Sequence, residues 1–168
     1  MKKIIFLTIA LFTTLIFLTG CSLSNTPTSK VEELFNKYQM LDEDINEEIN
    51  KLLETETLTV NQKERYKKII ENQYKNLTYE IKDEIIDGDT AKVVTQIEVL
   101  DFRKTIDKLN MEANNDILEY NNKKLDELEK TKEKVAYTIE INVVKNDKGN
   151  WKLEKLSADN IKKIQGMY

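Results

Sequence analysis

The stretch Leu77–Val99, LTYEIKDEIIDGDTAKVVTQIEV, decides the fold class, because here the spacing of apolar residues changes from three and four to two. Leu77, Tyr79, Ile81 and Ile85 sit on odd positions, Asp87-Gly88-Asp89 supplies a turn, and Ala91, Val93, Thr95, Ile97 and Val99 sit on odd positions again. Successive strand residues point to opposite faces of a sheet, so each alternation marks a half-buried strand and the pair marks a β-hairpin. Because both apolar sets are odd-numbered, pairing them face to face calls for an odd loop: three residues, with Gly88 or Asp89 left-handed.

The same period returns downstream. Val135, Tyr137, Ile139, Ile141 and Val143 alternate, Asn146-Asp147-Lys148-Gly149 turns the chain, and Trp151, Leu153 and Leu156 come back. Four strands in two hairpins follow from this pattern. Upstream the period is helical. Ser29-Lys30-Val31-Glu32 fits a capping box, and Val31, Leu34, Phe35, Tyr38, Leu41, Ile45, Ile49, Leu52 and Leu53 continue it as one stripe. A second box, Thr59-Val60-Asn61-Gln62, opens a helix that buries Val60, Tyr66, Ile69, Ile70 and Tyr74. Two helices are therefore expected before the first strand. Between the hairpins, Phe102, Ile106, Leu109, Ala113, Ile117 and Tyr120 place a narrow stripe on a long helix over 103–134. Asn121-Asn122 predicts a kink or a short second helix there, with the part before it docked and the part after it available to a partner. The fold expected is α+β: N-terminal helices packed on a curved four-stranded antiparallel sheet, with a long helix inserted between the two hairpins.

The N-terminus carries a different kind of signal. Lys2 and Lys3 precede seventeen uncharged residues, Ile4 to Gly20, which end in Leu18-Thr19-Gly20-Cys21. A short charged start, an apolar core and small residues before a cleavage point make a secretory signal. The Leu-x-Gly-Cys box resembles the lipobox of bacterial lipoproteins, which implies a diacylglycerol on Cys21 and cleavage before it. Two acyl chains anchor a protein stably where one holds it only marginally. The expected organisation is a signal peptide over 1–20, a polar tether over 21–28 containing the single proline, and one domain over 29–168. The localisation that follows is the extracytoplasmic face of the cell membrane, with the lipid on Cys21 as the membrane partner.

Composition removes whole classes of chemistry. Residues 1–20 hold two lysines and no acid, so the remainder keeps 24 of the 26 basic and all 30 acidic side chains, a net charge of −6. That balance argues against a nucleic-acid partner. The chain has no histidine, and its one cysteine is assigned to the lipid. Histidine-dependent triads, thiol catalysis and cysteine–histidine metal sites are thereby excluded, and no metal or other cofactor is expected.

Two helices ahead of the sheet, Tyr79-Glu80-Ile81 before Gly88-Asp89-Thr90-Ala91-Lys92-Val93, the late Lys148-Gly149-Asn150-Trp151-Lys152-Leu153, and the tail from Leu156 to Tyr168 carry a family likeness. Together they resemble the NTF2-like (cystatin-like α+β cone) lipoproteins of unknown function from low-GC Gram-positive bacteria, over roughly residues 30–168. The resemblance implies a cone-shaped sheet. Its motifs are turns and core aromatics and so are nearly silent on activity, and the absence of the histidine that superfamily enzymes use in a His-Asp pair, with the inserted helix 103–134, weakens a catalytic analogy.

Residue type and position nominate a ligand pocket of Tyr79, Asp83, Tyr137 and Trp151. Aromatics at strand spacing can line a cone, and Asp83 interrupts the apolar phase where a desolvated carboxylate could act as a base. The acidic run Asp42-Glu43-Asp44 with Glu47 and Glu48 lacks the glycine and alternating oxygen ligands of a calcium loop, so it reads as a solvated helix face, as does the mixed run Lys130–Lys134. The leading role is a non-enzymatic binding or interaction module whose partner is an envelope protein or a small ligand. An enzyme using Tyr and Asp, and an accessory lipoprotein assembling as a homodimer, are the alternatives. Replacing Cys21 with alanine is expected to abolish labelling by a radioactive fatty acid and leave an uncleaved precursor; continued labelling of Cys21→Ala would refute the assignment.

Overall fold

The computed structural model describes residues 25–109 and 116–168. The signal segment, Cys21, the tether up to residue 24, and Ala113 lie outside the described residues. Those described form an α+β domain in the order α1 (Pro27–Met40), α2 (Glu43–Thr55), α3 (Val60–Lys75), β1 (Thr78–Asp87), β2 (Thr90–Leu100), α4 (Phe102–Asp107), α5 (Ile117–Lys130), β3 (Lys134–Lys145), β4 (Trp151–Leu153) and α6 (Ala158–Ile164). The four strands make one antiparallel sheet in the order β1-β2-β3-β4.

The first helix starts earlier than expected. Thr26, not Ser29, is the N-cap: its hydroxyl accepts from Ser29 N, and the Ser29 side chain returns a bond to the cap. Pro27 fills the first helical position, where a missing N–H costs nothing. Residues 25–28, assigned to the tether by sequence, thus belong to the domain. The single stripe expected from Val31 to Leu53 is two helices, making three before the sheet. Leu41 takes a left-handed conformation (φ 52°) and ends α1, and the Asp42 carboxylate then caps α2 by accepting from Asp44 N and Ile45 N. The acidic run is therefore helix-capping chemistry, with Glu43 and Asp44 placed where the helix dipole favours them.

The hairpin loop is even, not odd. Asp87 pairs with Thr90 around a two-residue loop, with Gly88 (φ 59°) first. Parity is restored by a bulge at Lys82: Ile81 pairs with Thr95, but Asp83 pairs with Val94. The span between the hairpins also differs. Among its described residues it holds two helices, α4 and α5, and the break falls before Asn121-Asn122, which lies inside α5. Asn121 is buried and donates to Thr57 O (3.2 Å), while Asn122 accepts from Gln62 Nε2 (2.9 Å). Docking follows the expectation only at its start: Phe102 is buried and Ile106 packs against the core, but Ile117 and Leu118 are exposed, and Leu125 and Leu128, beyond the asparagines, are buried.

The core lies between the helices and one sheet face. Helix α1 crosses that face and touches all four strands, burying Val31, Phe35 and Tyr38 over Val93, Ile97, Ile139 and Ile141. Helices α2 and α3 pack beside α1, and α5 packs on α3. The other face carries Lys92–Glu140 (2.8 Å) and Lys134–Glu98 (2.7 Å) ion pairs across strands. At the end of β2, the buried Gln73 amide accepts from Leu100 N (2.9 Å) and donates to Leu100 O (3.0 Å).

Gly166 (φ 70°) lies flush against this junction. A methyl group there would overlap the Leu100 carbonyl oxygen and approach Gln73 Nε2 to 2.5 Å, whereas one on Gly149 (φ 75°) meets nothing within 4 Å. Gly149→Ala is expected to cost about 1–2 kcal/mol for its left-handed backbone alone. Gly166→Ala is expected to cost clearly more, because a backbone carbonyl must also move; equal denaturation midpoints for the two variants would contradict the close packing.

Candidate functional site

The bulge at Lys82 decides where the predicted pocket residues point. Before it, Tyr79 shares a cross-strand row with Ile97 and Tyr137, and these three face the helices. After it, Asp83 pairs with Val94 and faces the opposite side, exposed. Asp83 is therefore parted from the aromatics by the sheet itself. Tyr79 stacks on Phe35 (ring centroids 4.6 Å, 21°), which occupies its face. Tyr137 donates from its hydroxyl to Tyr168 O (3.1 Å) and meets the Tyr168 ring edge-on at 5.9 Å. Trp151 pairs with Lys145, eight positions along β3 from Tyr137 and hence about 27 Å away. It is buried under Lys145 Nζ, 4.8 Å from the ring centroid. The structure places the three aromatics on one face but does not bring the four residues into one pocket.

The face expected to be concave is filled. Among the described residues its one buried side-chain polar atom without a partner is Thr95 Oγ1, fully covered and flanked in its row by Ile81 and Ile139. The tyrosines of the helical layer are in no state for acid–base work. Burial raises Tyr38, Tyr66 and Tyr74, the last to about 12, so all three stay protonated at neutral pH. Tyr38 and Tyr74 pack edge to face at 4.9 Å, and Glu48 lies within hydrogen-bonding reach of Tyr38. Partial burial raises the Glu48 carboxyl, yet its side chain stays open to water on the outside of α2. No group of acidic or sulfur ligands among the described residues is arranged to hold a metal ion.

A cleft of about 400 Å³ lies between α4 and α5. Lys108, Lys123, Lys130 and Lys132 line it with Glu127 and Glu133. Lys130 pairs with Glu127 (2.9 Å), and Glu133 takes Lys104 and Lys108. Lys123 and Lys132 have no ion pair among the described residues, so the cleft carries an excess of positive charge on an acidic chain. The Thr105 and Thr131 hydroxyls, 2.9 Å apart, join its two walls. On the far side, α5 is held to α3 by Gln62, which donates to Leu118 O, and by Arg65, which bonds Asp126 (2.6 Å) and Glu129 (2.9 Å). The sequence pattern did carry a signal for this cleft: Lys123, Glu127 and Lys130 recur at helical spacing on one side of α5.

No protein family, no characterised protein and no solved structure matches this chain. The site therefore rests on its own geometry. A filled face makes a specific demand on Thr95. Replacing a buried, unpartnered hydroxyl by a methyl group removes a desolvation cost of about 1–3 kcal/mol, so Thr95→Val is expected to stabilise the protein by up to that amount. A loss of stability in urea unfolding would mean that the hydroxyl has a polar environment and that the face is open.

Proposed function

We propose that this protein is a lipid-anchored, extracytoplasmic binding module of NTF2-like form that acts through an outer surface without catalysing a reaction. The filled helix-covered face carries this reading. A cone enzyme needs an enclosed cavity in which polar groups converge on a substrate. Here Phe35 and Tyr38 occupy that space, the phenols are neutral, and Asp83 lies on the other side of the sheet. Anchoring is supported by the Leu18–Cys21 box alone. Among the described residues no helix is long and apolar enough to cross a membrane.

The α4–α5 cleft is the surface proposed for the partner. Its two uncommitted lysines suit carboxylates or phosphates on that partner, and charge of this kind sets orientation and association rate more than affinity. A photo-crosslinking residue in place of Lys123, in protein expressed in intact cells, is expected to give one discrete adduct that Lys132→Glu weakens at least tenfold. The same probe at Thr138, on the opposite sheet face, is expected to give none. Adducts at Thr138 with none at Lys123 would move the binding surface away from the cleft.

A further inference from the structure

We infer that the β1–β2 hairpin end, through Ile85 and Ile86, rests on the bilayer that carries the lipid of Cys21; this rests on the anchored reading above. The described chain begins close to Cys21 and is fastened from its first residues. Asn25 is fastened to the start of β4: its side-chain oxygen accepts from Trp151 N (2.8 Å), and its amide donates to Asn150 Oδ1 (3.1 Å). Thr28, in the first turn of α1, donates from both N and Oγ1 to Glu84 on β1 (2.8 and 2.6 Å). Only Ser22, Leu23 and Ser24 separate Cys21 from Asn25. Four fully extended peptide units span at most about 14 Å, so the β3–β4 turn is held close to the headgroup layer, itself about 5–8 Å thick on each side.

The hairpin tip shares that end. Lys145 donates from N and Nζ to Asp89 O and Oδ1, which binds the two turns together. Ile86 lies in one cross-strand row with Ala91, Val143 and Leu153, and Leu153 is two residues from Trp151. Ile85 and Ile86 are 54% and 53% exposed on the edge strand, one on each face. Two adjacent exposed isoleucines at the tethered end fit the boundary between headgroups and acyl chains. Asp87 and Asp89 beside them limit the contact to a shallow one.

The test uses the full chain acylated on Cys21, whose thiol is then consumed, in phosphatidylglycerol vesicles containing a nitroxide on the acyl chain. Bimane on Ile86→Cys, or on Ile85→Cys should the first variant fold poorly, is expected to be quenched at least threefold more than bimane on Lys132→Cys at the opposite strand end. Equal quenching in protein that floats with the vesicles overturns the orientation and leaves the anchor standing. Protein that does not float overturns both. Quenching that follows protein density on the vesicle instead of nitroxide content would assign the isoleucines to a second copy of the chain and overturn the inference.

Discussion

The side-chain amide of Gln73 makes the two bonds to Leu100 that a neighbouring strand would make. It is 1% exposed, so neither its oxygen nor its nitrogen has water to fall back on, and any shift of α3 along β2 would strand both. Three other segments are then fixed by the same point. Leu77, four residues on, enters β1 with its carbonyl held by Gln39 of α1. Phe102 starts α4 two residues after Leu100, and Arg103 N donates to Gly166 O, so the C-terminal turn closes against the junction. The helical layer, the sheet and the tail are thereby tied to one another where a single buried amide must be satisfied.

The bulge at Lys82 is the second constraint, and it works through parity. A strand has two faces, so one extra residue exchanges everything beyond it. Glu84 and Ile86 move to the helix side, Asp83 and Ile85 to the other. The exchange lets Glu84 reach the N-terminus of α1, where a carboxylate is favoured by the unpaired N–H groups, and it leaves both isoleucines uncovered. The bulge also bends the long edge strand and sets charged residues on it, which disfavours pairing with another edge.

The strands were largely legible from alternation: β2 buries the odd residues that the pattern picked out, β3 buries Ile139, Ile141 and Val143 and half-buries Val135 and Tyr137, and buried Trp151 opens β4, which ends at Leu153, short of Leu156. Helix α3 was plain too, since Thr59 and Gln62 form the capping box that the sequence suggests, although Val60, expected on its buried side, is exposed. The errors share one cause, which is that hydrophobic phase does not record chain breaks that preserve it. Leu41 and Ile45 continue the stripe of α1 across a left-handed turn, so one helix was read where Asp42 begins another. A three-residue loop and a two-residue loop plus a bulge pair Tyr79 with Ile97 and Ile81 with Thr95 alike, and differ only beyond the bulge, where Ile85 changes face. Asn121 and Asn122 looked like helix weakeners because their partners, Thr57 and Gln62, are some sixty positions away. The candidate pocket failed for the same reason: residue type and strand phase placed three aromatics on one face, but neither tells how far apart along the strand they stand, nor that Phe35 fills the space between.

The two ends of the sheet then acquire different tasks in the anchored arrangement. Asn25 fastens the chain to the β3–β4 turn, at the Lys145 end of β3. The cationic cleft gathers at the other end, where Thr131, Lys132 and Glu133 lead into β3 at Lys134. Twelve strand residues separate the two, a rise of about 36 Å. If the domain is anchored through Cys21 as proposed, Lys123 and Lys132 stand well beyond a Debye length of about 8–10 Å from the lipid surface. At that height the negative headgroups no longer compete for the two lysines, so the cleft is open to anionic groups of other envelope components. In the arrangement we propose, the sheet is the spacer between the lipid on Cys21 and the α4–α5 cleft.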